Sequence, residues 1–130
     1  MPEYVLDTHA CIHALAAPDK LGRRARKALE RADQRGERVW VAAAVMAEIV
    51  LLKELGRTEI GLPTLREAFE TTCWRFLALD LDQLDEFASL GTIRDPFDRL
   101  IVAAARRTGA KLISRDERLA DSGLVGLVWG

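Results

Sequence analysis

Short runs of β-type apolar residues alternate with stretches of helical periodicity along this chain, and that alternation leaves few architectures open. Tyr4-Val5-Leu6, Val39-Trp40-Val41, Phe76-Leu77-Ala78-Leu79 and Lys111-Leu112-Ile113-Ser114 read as buried strands, and Leu127-Val128-Trp129 as a candidate fifth. Between them Leu21, Ala25, Ala28, Leu29 and Ala32 recur at helical spacing up to Gly36, and residues 43–55 form a helical stretch stopped by Gly56. A turn region at 58–64 precedes a helix at 65–72, and further helices are expected at 81–90 and 95–107, ended by Gly91 and Gly109. Strands alternating with helices predict an α/β fold in three layers, a central parallel sheet of four to five strands covered by helices on both faces. With 130 residues, 49% of them apolar and 30% charged, the chain is expected to bury its core as a single domain over 1–130, without disulfides or a structural metal.

Cys11 and Cys73 lie in apolar neighbourhoods with no CxxC or CxxH spacing, which argues for buried, reduced thiols and against a zinc ribbon. No signal-peptide pattern opens the chain. The longest apolar window, 39–52, is broken by Glu48 and falls short of the roughly 18 residues a bilayer span needs. These features predict a cytoplasmic protein with no membrane partner. A net charge of −1 would argue against a nucleic-acid partner, but the average hides a segregation. Residues 19–38 hold eight basic side chains against four acids, whereas residues 80–98 hold six acids against Arg94 alone.

Asp7 closes the first strand and Asp116 lies just past the fourth, so both can project from one edge of the sheet, where ligands of such folds bind. Either could instead cap a following helix. Glu48 stands in a helix with almost no polar face, and a buried carboxylate there calls for pairing, protonation or a metal. In Asp95-Pro96-Phe97-Asp98 the first Asp suits an N-cap and Pro96 the first helical position, leaving Asp98 at the mouth of an apolar helix. Three or four carboxylates on one edge repel one another unless a cation intervenes. An all-oxygen set selects Mg²⁺ or Mn²⁺, ions that activate water for phosphodiester cleavage. His9 and His13 could share a helix face near Asp7, but no third strong zinc ligand accompanies them. Trp40, Trp74 and Trp129 sit at or beside strands and suit core packing better than base stacking. The Arg-rich helix, with Arg23, Arg24 and Lys27, is either a surface for RNA phosphates or a solvated face.

Taken in order, V-L-D-T-H, A-E-I-V-L-L, D-P-F-D-R-L-I-V-A-A-A and L-I-S-R-D resemble a PIN-domain nuclease, most of all the VapC-type toxins of type II toxin–antitoxin modules. The resemblance implies a catalytic and metal-binding quartet of Asp7, Glu48, Asp98 and Asp116, with Thr8, Ser114 and Arg99 supporting the site. It further implies Mg²⁺- or Mn²⁺-dependent endoribonuclease activity, in-line attack by water that leaves a 5′-phosphate and a 3′-hydroxyl, a homodimer, and an antitoxin that blocks the site. Two rival readings are a catalytically silent PIN-like module that only holds RNA or antitoxin, and a phosphoacceptor domain built on Asp7 and Asp80. The second lacks the Lys that such a domain needs at the end of its last strand.

Overall fold

A computed structural model describes residues 2–130. The elements follow in the order β1 (Tyr4–Leu6), α1 (Thr8–Ala16), a 3-10 turn (Pro18–Lys20), α2 (Arg23–Arg35), β2 (Val39–Ala42), α3 (Ala43–Glu54) and α4 (Leu62–Thr71). Then come β3 (Trp74–Leu77), α5 (Leu81–Ser89), α6 (Pro96–Thr108), β4 (Lys111–Ile113), α7 (Glu117–Ser122) and β5 (Leu127–Val128). The five strands form one parallel sheet in the order β3-β2-β1-β4-β5, and the helices flank it as an α/β/α fold. β1, at the centre, is buried at every position, as expected of a strand covered on both faces. The core runs from its Val5 and Leu6 to Val39 and Val41 on β2, Leu112 and Ile113 on β4, and Ile101 to Ala105 on α6.

The topology decides where function can sit. From β1 the chain steps outward through β2 to β3, then returns across the sheet to lay β4 on the other side of β1. The switch point therefore falls between the carboxyl ends of β1 and β4, where neighbouring loops diverge and leave a crevice.

Several elements depart from the sequence reading. The third strand is Trp74–Leu77, not 76–79, because Trp74 is the buried residue that pairs with Val39, while Ala78, Leu79 and Asp80 are exposed. Helix α4 starts at Leu62, since Pro63 sits in its first turn, where a missing N–H costs nothing. Helix α3 is not buried all round: Val45 and Ile49 are its only fully buried residues, and Leu51 is 45% exposed. Cys11 is buried, but Cys73 is only partly so. Of the three tryptophans only Trp74 is fully buried; Trp40 and Trp129 pack half-buried against the core.

One close approach ties the end of the chain to the start of α2. The Ala25 N–H donates to the Trp129 carbonyl at 2.9 Å, and a Cβ on Gly22 would lie 2.2 Å from that same oxygen. Gly22→Ala is therefore expected to lower stability by about 1–3 kcal/mol, read as a fall in Tm on thermal denaturation. An unchanged Tm would show that this docking contributes nothing.

Candidate active site

Four carboxylates reach the switch point from four separate elements. Asp7 follows β1 directly, and its backbone N–H donates to the Ile113 carbonyl at 3.1 Å, which locks it against the neighbouring strand. Asp116 lies three residues beyond β4. Glu48 comes from α3, which follows β2, and Asp98 from the first turn of α6, which leads back into β4. These four, with Thr8 and His9, line one cavity of about 400 Å³. Asp95 and Arg115 complete its rim.

Capping and site formation are the same interactions here, not alternatives. The Ala10 N–H donates to Asp7 Oδ1 at 2.8 Å, starting α1, and the Arg118 N–H donates to Asp116 Oδ1 at 3.0 Å, starting α7. Asp95 caps α6 as expected, accepting from the Asp98 N–H at 3.0 Å. Each cap uses one carboxylate oxygen and fixes the side chain.

Ser114 and Thr8 bind the set together. The Ser114 hydroxyl, almost wholly buried, hydrogen-bonds the Asp7 carboxylate and accepts the Asp116 N–H at 3.1 Å, so one oxygen sets the spacing of two acids. The buried Thr8 hydroxyl donates to Glu48 Oε1, tying α1 to α3. Glu48 itself is half-buried, which corrects the expectation of a carboxylate sunk in an apolar helix; its partner in the protein is Thr8. Arg99, expected to support the site, does not line the cavity. It turns away from the cavity, donating from Nε to the Phe87 carbonyl at 2.8 Å with its guanidinium 4.1 Å from the Phe87 ring centroid. It pins α6 to α5 and so supports Asp98 only at one remove.

Burial pushes the Asp7 carboxyl above its ordinary range, an effect opposed by the Ser114 and Ala10 hydrogen bonds and by His9, and reinforced by Asp116. Asp98 is pushed up to about 6, first by burial and then by the negative charges of Asp95, Asp116, Glu48 and Asp7. Among the described residues the only ion pair to the quartet is that of Arg118, whose Nε stands 3.8 Å from Asp116 Oδ1 with 91% of its side chain exposed. Oxygen donors with uncompensated like charge fit a hard divalent cation. Among the described residues no three His, Cys, Asp or Glu side chains stand close enough together to hold a metal ion as they are placed.

The Arg-rich helix does not reach this cavity. Arg24 and Lys27 line a separate cleft with Tyr4, Arg31 and Lys111 at the amino ends of β1 and β4. The basic residues beside the carboxylates are Arg94, Arg115 and Arg118, scattered singly in loops and a short helix where no run of charge marked them. Asp80 caps α5 and lines a cleft with Glu3 and Arg38, away from Asp7, so the phosphoacceptor pairing of Asp7 with Asp80 does not form. The rings of His9 and His13 lie tilted at 51° to each other, with centroids 6.5 Å apart. Among the described residues no helix is long and apolar enough to cross a membrane.

Comparison with known proteins agrees with this architecture. VapBC2 from Rickettsia felis, solved bound to a DNA fragment from its promoter, is similar with a TM-score of 0.72 at 17% identity, covering 98% of this chain and 99% of that one. A toxin–antitoxin complex from Klebsiella pneumoniae matches at 21% identity and a TM-score of 0.66, covering 96% and 95%. FitAcB from Neisseria gonorrhoeae matches at 19% and 0.65, covering 95% of each chain. No curated protein matches the sequence. The family model described as PIN domain matches residues 4–123, nearly the whole chain, and the chain belongs to the PIN domain family.

Proposed function

We propose that this chain is a divalent-metal-dependent endoribonuclease acting as the toxin of a type II toxin–antitoxin module. The observation that carries the reading is the convergence of Asp7, Glu48, Asp98 and Asp116 on one cavity at the sheet's switch point. Asp7, Asp98 and Asp116 would hold Mg²⁺ or Mn²⁺, with Glu48 completing the set or orienting water. The ion, when bound, supplies water activation and charge stabilisation at the scissile phosphate.

The protein's own part is positioning. Ser114 holds the Asp7 carboxylate, Thr8 holds Glu48, and the caps fix Oδ1 of Asp7 and Oδ1 of Asp116. Water is the nucleophile, so the ribose 2′-hydroxyl has no chemical role and RNA is preferred through shape and single-strandedness. The structurally similar toxin–antitoxin complexes support an antitoxin as the protein partner, and a homodimer and a cytoplasmic setting belong to the same reading.

Purified protein is expected to cut single-stranded RNA with Mg²⁺ or Mn²⁺ present, leaving 5′-phosphate ends, and to stop when the ion is chelated. RNA left intact with either ion would overturn the proposal. Growth arrest that survives loss of the carboxylates would point instead to a binding module.

A further inference from the structure

A second cleft, of about 360 Å³, shares the wall formed by Asp95, Asp98 and Asp116 with the carboxylate cavity. Its floor is apolar, made by Ile93, Leu119 and Leu124, and Arg94 and Arg118 stand on its rim. Thr92, Ser122 and the three acids complete the lining, so that polar and charged side chains surround one apolar face, a make-up that suits a charged ligand with a flat apolar part. The floor is held in place. Ser122 Oγ donates to the Leu119 carbonyl at 2.6 Å and accepts the Leu124 N–H at 3.2 Å, while Arg106 donates to the Leu124 carbonyl at 2.7 Å.

We propose that this cleft is a single-nucleotide subsite for the RNA strand, flanking the scissile bond. The inference rests on the nuclease reading above and extends it to the residues that grip the substrate. An anionic polymer that places one phosphate among four carboxylates must be held by cations next to them, and Arg24 and Lys27 of the Arg-rich helix line a different cleft.

Arg94 and Arg118 are the side chains placed for this. Arg94 is exposed and makes no ion pair among the described residues, and the contact of Arg118 with Asp116 is long and open to water. Both guanidiniums are free to take the adjoining phosphate, and their planar faces can also stack on a base. The base lies on Ile93, Leu119 and Leu124. Both arginines belong to this subsite and the cleft by Arg24 and Lys27 does not.

The test uses the full chain in an Asp7→Asn background, so that binding is read without cleavage, with a short fluorescein-labelled single-stranded RNA as probe. Arg94→Ala and Arg118→Ala together are expected to weaken binding at least tenfold, whereas Arg24→Ala with Lys27→Ala leaves it within about twofold. In the otherwise native chain the arginine pair is expected to raise KM with little change in kcat and to relax the nucleotide preference next to the cut. Unchanged affinity, KM and preference in a variant of parental Tm would overturn the subsite while leaving the nuclease reading intact. A parent that neither binds nor cuts RNA would overturn both.

Discussion

Asp7→Asn is expected to slow metal-dependent RNA cleavage by roughly two to three orders of magnitude, the effect of removing about 3–4 kcal/mol of transition-state stabilisation. The same change is expected to leave Tm within a few degrees. Asp7 holds the end of α1 through Oδ1, which accepts the Ala10 N–H at 2.8 Å, and asparagine keeps an oxygen there and is itself a good N-cap. What it loses is the negative charge that Ser114 and the capping N–H hold in place against the cost of burial. Asp7→Ala separates the two roles, adding the loss of a cap, about 1 kcal/mol of stability, to the loss of activity. Cleavage by the asparagine variant at the parental rate, with Mg²⁺ present, would remove Asp7 from the site.

That the caps and the candidate ligands coincide explains why these acids could be read two ways. A carboxylate after a short apolar run suits a helix start and a metal equally well, and the sequence carries no mark that separates them. Asp7 and Asp116 cap their helices through Oδ1 and line the cavity as well, so both parts fall to the same side chains in the proposed reading. The strands β1, β2 and β4 are legible in the sequence because they are central or nearly so: β1 and β2 are apolar throughout, and β4 is apolar after its exposed first residue, Lys111. β3 was misplaced by two residues because it is an edge strand: Arg75 and Phe76 face solvent, and the apolar run that follows is exposed. The strand order, and so the juxtaposition of β1 with β4, depends on long-range packing that no local pattern encodes.

The same limit applies to charge. The run of arginines in α2 was conspicuous because it is contiguous, yet Arg31 of that run donates to Tyr4 Oη at 2.7 Å and pairs with the buried Glu37 at 3.4 Å. Part of the basic helix thus has structural work. Arg94, Arg115 and Arg118 flank Asp95 and Asp116 in the chain but are separated from one another, and only the fold gathers them around the one group of carboxylates. Glu48 was singled out on the premise of burial. In the structure it is half-buried, and its position is set by the Thr8 hydroxyl across forty residues of chain.

Asp98→Asn is expected to slow cleavage to a similar degree and, unlike most substitutions, to make the metal-free protein more stable. A carboxyl group raised from its ordinary 3.8 to about 6 carries an ionisation cost of about 3 kcal/mol if undamped; Asp98 is half-exposed, and screening by water leaves on the order of 1 kcal/mol. Asparagine removes that cost while Asp95 still caps the helix through the backbone N–H of the same residue. A gain of about 4 °C in Tm follows at neutral pH. Because the folded state holds the Asp98 proton more tightly than the unfolded chain, the penalty is full above about pH 6 and fades as the pH falls toward 3.8, so the gap between variant and parent closes over that window. Mg²⁺ or Mn²⁺ reverses the ranking, since an ion bound only by the folded parent raises its Tm by mass action and the variant lacks one of its ligands. Thermal denaturation of both proteins at pH 4.5 and 7.5, with and without the ion, reads all of this without an activity assay. A variant less stable than the parent at pH 7.5 without metal would show that Asp98 is structural, and a parent whose Tm ignores both ions would show that the carboxylates do not hold them.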